Sequence, residues 1–287
     1  MNETPPNINE QKIAVAFTKQ SFIFDKIDRN NPVIQYKRER IRNHATKYLN
    51  PASYILELNS GTGEDAVWFA QQGHRVHATD ISKGMLEVLA QKVKSLNMES
   101  SINHELCSFT ELYRLEEKGP FDFIFSNFAG LNCTNELDKV LHSLSSLLKP
   151  KGVVTLVILP KFCLWEFLLL FKGKFKTAFR RFFSSEGRKA HIEDQDFLCW
   201  YYSPAYVISN MENEFDLLNL EGLCSLVPPS YLENFPKKHP RIYQWLKVKE
   251  KKWKNKWPWK YIGDYFIISF RKKNQTAFTA KKDFNSC

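Results

Sequence analysis

The chain has 287 residues, 43% hydrophobic and 14% aromatic, which suits one large domain or a domain with an added lobe and excludes a coreless chain. A formal net charge of +10, weighted toward the C-terminal end, favours acidic partners such as nucleic acid, an anionic membrane surface or an anionic substrate. The six cysteines form no C-x-x-C and no paired metal spacing, and no secretory signal opens the sequence. Neither a metal centre nor a disulfide framework is therefore expected, and the thiols read as reduced in a cytoplasmic protein.

Residues 1–9 are polar with a Pro pair and read as a loose end. Residues 11–31 are aromatic and moderately helical. Residues 32–49 read as a helix with Ile34, Ile41, Ala45 and Leu49 on one side and Lys37, Arg38, Arg40 and Arg42 elsewhere, as on a solvated face. Residues 54–58, Y-I-L-E-L, form a short apolar run of the kind a buried parallel strand shows. Asn59, Ser60, Gly61, Thr62 and Gly63 then make a turn of small residues. A helix is expected over 64–72, stopped by Gly73, followed by a strand over 75–79 with Asp80 at its carboxyl end.

Ser82 caps an expected helix over 83–96. Residues 102–107 read as a weak third strand followed by Ser108 and Phe109. Residues 121–125, F-D-F-I-F, read as a fourth strand leading into Ser126, Asn127, Phe128 and the run to Cys133. A helix over 137–148 ends at L-K-P-K-G, before an apolar strand over 153–159. Residues 153–171 are the longest largely apolar stretch, but Pro160, Lys161 and Glu166 break it, so no bilayer span is expected. Residues 184–193 read as a polar loop, 197–202 as a strand or cap segment, 204–212 as a helix started by Ser203-Pro204, and 215–227 and 263–270 as the last two strands. Between those strands, residues 237–260 are strongly basic and carry Trp245, Trp253, Trp257 and Trp259.

A strand, a glycine turn, a helix and a second strand ending in an acid define a nucleotide crevice. In open parallel sheets ligands lie outside the carboxyl ends of the strands, and a helix N-terminus offers free N–H groups there. A dinucleotide fingerprint wants a third glycine, and Ala66 and Val67 stand where it would fall, which argues against a nicotinamide dehydrogenase. Residues 57–63, E-L-N-S-G-T-G, instead resemble the E-x-G-x-G-x-G motif of class I S-adenosylmethionine-dependent methyltransferases, with Asn59 in place of the first glycine. Asn is the non-glycine residue that best tolerates left-handed backbone, so the turn survives the exchange. L-K-P-K-G resembles that family's L-K-P-G-G, and S-N-F-x-x-L-N-C resembles small-molecule members of the ubiquinone- and menaquinone-biosynthesis type.

That resemblance implies an α/β fold: a Rossmann-like, doubly wound, seven-stranded sheet with an antiparallel last strand, plus a helical cap. It implies S-adenosyl-L-methionine as cofactor, held by Glu57, Asn59, Gly61, Gly63, Asp80, Ile81, Met85, Ser108, Phe109, Ser126 and Arg38. The usual acid after the third strand is absent at Ser108. Asn127, Asn132, Arg180 and Arg181 are candidates for the acceptor. His142, His191 and Glu166 are candidate bases, each with an ordinary structural explanation. The division expected is an N-terminal helical lid over 1–50, a cofactor-binding core over 51–160, a cap over the acceptor site at 161–214, C-terminal strands with the basic insert over 215–272, and a basic tail over 273–287.

The apolar-then-basic run at 162–183 has two readings, a cap over the acceptor pocket or a face touching an anionic membrane. The cap is the one expected here. The acceptor reads as a small or lipid-like molecule. RNA is a second reading, suggested by the basic Trp-rich stretch. It lacks the N-P-P-Y signature, with Ser126-Asn127-Phe128-Ala129 in its place. A non-catalytic binding protein that keeps the fold is a third.

Overall fold

The structure, a computed structural model, describes residues 8–274. Residues 1–7, in the expected loose end, and 275–287, in the expected basic tail, lie outside the described residues. Two helices open the chain, α1 (Ile8–Asn30) and α2 (Pro32–Ala45). The core follows as β1 (Tyr54–Leu58), α3 (Glu64–Gln71), β2 (Arg75–Asp80), α4 (Lys83–Ser95), β3 (Ile102–Leu106), β4 (Phe121–Ser126), α5 (Leu137–Leu147) and β5 (Leu148–Ile158). An insert carries the short helices α6 (Leu164–Phe167) and α7 (Phe175–Phe179) and the strands β6 (Arg188–Ile192) and β7 (Gln195–Cys199). The chain closes with α8 (Pro204–Met211), β8 (Phe215–Leu223), α9 (Phe235–Lys238), α10 (Pro240–Trp253) and β9 (Tyr265–Lys272).

Seven strands form one sheet in the order β3-β2-β1-β4-β5-β9-β8. The pairs from β3 to β5 are parallel, and β9 runs antiparallel to both β5 and β8. This is the Rossmann-like sheet expected, with its reversed strand slotted between β5 and β8. The strands of the parallel half are apolar on both faces because helices cover both. Ile55, Phe123 and Phe125 pack under α3 and α4, whereas Leu56, Leu58 and Ile124 pack under α5 and α8.

Sequence periodicity misplaced three features. The N-terminal helix begins at Ile8 rather than after residue 9. The Asn9 amide is tied to the backbone of Cys133 and Leu198, which orders that turn. Residues 184–193 are not simply a loop, since β6 pairs antiparallel with β7. Glu193 and Asp194 turn that hairpin with left-handed φ of 46° and 59°, a conformation normally signalled by Asn or Gly.

The basic side of α2 is also not solvated. Lys37 is buried and pairs with Asp264 at 2.7 Å, and Arg40 is buried between Glu250 and Glu221. Glu221 also receives His44, Lys47 and Lys254. These carboxylates come from the last third of the chain, so α2 joins the N-terminus to the C-terminal strands.

Gly63 occupies left-handed backbone (φ 76°) at the start of α3, and a Cβ there would lie 2.1 Å from Leu89 Cδ1. Gly63→Ala is expected to destabilise the fold by about 1–3 kcal/mol, from backbone strain plus overpacking against α4. A thermal midpoint equal to wild type would contradict this.

Candidate active site

The turn after β1 is held from two sides. Asn59 takes φ 46°, Gly61 57° and Gly63 76°. The Ser60 N–H donates to the Thr79 carbonyl at 2.9 Å, which joins the turn to β2. Asn59 accepts from the Ser126 hydroxyl at 2.6 Å and donates to the Asn127 carbonyl at 2.8 Å, which joins it to the loop after β4. Gly130 is required by that contact, since a Cβ there would sit 2.3 Å from Asn59 Cγ. The same loop places Phe128 and Ala129 in left-handed backbone, at φ 48° and 62°.

A cavity opens above this turn, at the carboxyl ends of β1, β2 and β4. Its walls are the turn, Asp80 and Ile81 after β2, Met85 of α4, Cys107 to Phe109 after β3, and Asn127, Phe128, Gly130 and Cys133 after β4. The remaining wall is α1, which presents Glu10, Ile13, Phe17 and Phe24. That helix is fixed by Asp25, which accepts from the Thr62 hydroxyl at 2.5 Å and pairs with Lys92 at 2.9 Å, and by Thr18, which bonds Ser82 at 2.9 Å.

The charge of the cavity is opposite to that of the chain. Among the described residues five carboxylates line it, from Glu10, Glu57, Glu64, Asp65 and Asp80, and the single cationic side chain is Arg38. Arg38 is already committed to Asp28 and, at 2.6 Å, to Asp65. Asp65 also accepts from Arg42 at 2.7 Å and from Asn127 at 2.7 Å. Burial raises the Asp65 pKa, but the two guanidiniums outweigh it and hold the group low. Glu64 pairs with Lys92.

Three acids are left without a cation among the described residues. Asp80 accepts from the Gly61 and Ser82 N–H groups, each at 2.8 Å, and burial still holds its pKa up against those bonds. Glu57 is buried, and its Oε2 has no partner. Burial, with the Asp65 charge beside it, pushes its pKa well above 4.5. Glu10 accepts from the hydroxyls of Ser108 at 3.2 Å and Thr110 at 2.6 Å, both on Oε1.

Of the residues singled out from the sequence, Arg38, Glu57, Asn59, Gly61, Asp80, Ile81, Met85, Ser108, Phe109 and Asn127 line the cavity. Gly63 and Ser126 are not in its lining. Gly63 shapes the turn from behind, and Ser126 bonds Asn59. Asn132 is buried outside the cavity, bonding the backbone of Leu159 and Trp200. Arg180 and Arg181 do not reach the cavity either. Both pair with Glu166, and Arg181 also pairs with Asp264. That pairing equally removes Glu166 as a base, while His191 is exposed and pairs with Asp196.

Among the described residues, none of 161–214 lines the cavity. The β6–β7 hairpin packs behind α1 instead, with Phe197 against Phe17 and Ile13. The basic Trp-rich stretch also contributes nothing to the lining, and Trp253 and Trp259 stack on one another at 5.4 Å. Glu10, Ile13 and Phe17 were missed by sequence reasoning. An acid in the first turn of a helix is ordinary, and nothing local indicates that it meets Ser108 from 98 residues away.

Residues 55–152 match the family model described as a methyltransferase domain. That third of the chain is therefore similar to a methyltransferase domain, and the cofactor such a domain implies is S-adenosylmethionine. The residues present fit that group, because a buried carboxyl oxygen without a partner and two further acids without a cation suit a ligand bearing a sulfonium and an ammonium.

Solved structures share the fold at low identity. The [4+2]-cyclase SpnF is 13% identical with a TM-score of 0.62, covering 94% of this chain and 99% of its own. The 1,6-didemethyltoxoflavin-N1-methyltransferase of Burkholderia thailandensis, solved with its substrate and S-adenosylhomocysteine, is 14% identical with a TM-score of 0.55, covering 95% and 94%. Phosphoethanolamine N-methyltransferase 2 of Haemonchus contortus, solved with S-adenosyl-L-methionine, is 17% identical with a TM-score of 0.54, covering 82% and 52%. A comparison with curated proteins found no match.

Proposed function

We propose that the protein transfers the methyl group of S-adenosylmethionine to a small or lipid-like acceptor. The observation that carries this reading is the acidic cavity of a basic chain, with Glu57, Asp80 and Glu10 facing it without a cation among the described residues. In the assignment we favour, Asp80 accepts from the ribose hydroxyls, Glu57 takes the amino group, and Ile81, Met85 and Phe109 flank the adenine. Glu10 replaces the acid missing after β3 and accepts from the adenine amine beside Ser108. The N-terminal helix α1 acts as the lid, excluding water with Ile13, Phe17 and Phe24.

When bound, the donor supplies a sulfonium-activated methyl. The protein's part is to align an acceptor with it and keep the site dry. Among the described residues no histidine, lysine or tyrosine lines the cavity. That composition suits an acceptor that brings its own lone pair or carbanion, as opposed to one needing a strong base. The two structural neighbours named as methyltransferases act on small molecules by their names, which agrees with this reading. RNA is the weaker reading, since the basic Trp-rich stretch contributes nothing to the cavity.

Methyl-labelled donor incubated with the protein and fractionated small-molecule and lipid extracts is expected to label a defined product. Donor binding without transfer to any fraction would favour a non-catalytic protein. Glu10→Ala is expected to weaken donor binding about ten- to a hundredfold, the loss of roughly one hydrogen bond to a charged group. With a donor analogue lacking the 6-amino group, variant and wild type should bind alike, and a persisting difference would remove Glu10 from the adenine site.

A further inference from the structure

The insert between β5 and β6 carries an apolar surface that the methyl-transfer reading leaves unused. Phe162, Phe167, Phe179 and Phe182 pack ring against ring, with centroids 5.6 to 6.3 Å apart. Around that cluster Phe171, Phe175 and Phe183 stand 84%, 62% and 68% exposed. Large rings presented together in water are costly, and such patches mark an interaction site.

The base of this lobe is fixed. Glu166 is buried and holds Arg180 and Arg181, and Arg181 reaches Asp264, which in turn holds Lys37 of α2. The phenylalanines therefore project from a rigid platform instead of folding back over the cavity, to which the lobe contributes no residue.

Charge identifies the occupant. Lys161, Lys174, Lys176 and Arg180 are exposed among these rings, whereas Glu166, the single acid of 161–183, is buried and doubly paired. A second copy of this chain would set lysine against lysine. Rings that enter the boundary between headgroups and acyl chains, ringed by amines at the phosphate level, are the chemistry of an anionic bilayer surface. No helix among the described residues is long and apolar enough to cross a membrane, so the contact is peripheral.

We propose that residues 162–183 dock the protein on anionic membranes, with Phe171, Phe175 and Phe183 inserted and Lys174 and Lys176 against the headgroups. The proposal stands apart from the donor assignment.

The test is flotation of the full chain with phosphatidylcholine vesicles, with and without phosphatidylserine. Wild type should float with the serine-containing vesicles and lose that binding in high salt. Phe171→Ser combined with Phe175→Ser should reduce partitioning about tenfold or more. Lys174→Glu combined with Lys176→Glu should do the same on anionic vesicles through lost headgroup attraction. Donor binding by calorimetry should be unchanged in both variants, which shows that they are folded. Failure of wild type to float, equal flotation of the variants, or a dimer in sedimentation that the Phe171→Ser/Phe175→Ser variant disperses would overturn the proposal. Flotation of a protein that fails to bind donor would overturn only the donor assignment.

Discussion

Asp80→Asn is expected to lower affinity for S-adenosylmethionine by about a hundredfold, from two hydrogen bonds to a charged acceptor at about 1.5 kcal/mol each. The carboxylate sits at the carboxyl end of β2, with one oxygen on the Ser82 N–H and the other on the Gly61 N–H. Each oxygen keeps a second lone pair for a ribose hydroxyl. An amide retains one acceptor and turns a donor toward the Gly61 N–H, so the variant also loses about 1 kcal/mol of stability. Titration calorimetry separates the two effects. The ribose is common to S-adenosylmethionine, S-adenosylhomocysteine and 5′-methylthioadenosine, so all three should weaken in parallel. An affinity within about threefold of wild type for any of them would remove Asp80 from the ribose site.

Glu57→Gln should weaken S-adenosylmethionine about ten- to a hundredfold, the range of one charge-assisted bond, and leave 5′-methylthioadenosine untouched because it has no amino-acid end. The pH behaviour follows from the same residue. Burial and the Asp65 charge hold the Glu57 pKa well above 4.5, so the folded protein keeps a proton that the unfolded chain has released. Stability therefore falls as pH rises from about 4.5 through the raised value, since the folded state binds more protons there. The Gln variant lacks that loss, and its thermal midpoint should overtake wild type toward alkaline pH.

Donor binding should show the opposite slope. An ammonium prefers the ionised carboxylate, so binding expels the proton and wild-type affinity rises with pH, while the variant stays flat. A variant that keeps the wild-type pH slope would take Glu57 out of the amino-group site.

The crevice at the strand ends was legible because its parts lie within one short run. Residues 54–80 hold strand, turn, helix and terminal acid, and each signal is local: apolar strand, small-residue turn, Asp80 after the last apolar position. Even Asn59 was readable, as the residue that adopts φ 46° at lowest cost. The β6–β7 hairpin was not, because its turn is a Glu-Asp pair in a conformation that those residues seldom signal. Arg180 and Arg181 misled for a different reason. Their chemistry fits an anionic ligand, but Glu166 and Asp264 satisfy it internally.

The sequence by itself determined the parallel core, the glycine turn and the two acids at the strand ends, since short-range periodicity and backbone tolerance suffice for each. Tertiary structure alone decided what the charges do. Net charge of +10 pointed to an acidic ligand, yet the cavity collects carboxylates without a cation among the described residues. The cations of α2 are neutralised by Asp65, Glu221, Glu250 and Asp264. A buried ion is tolerable only beside a counter-ion, and here the counter-ions arrive from parts of the chain that no local pattern connects. The same long-range return of α1 across the strand ends brings Glu10 to Ser108 and closes the cavity.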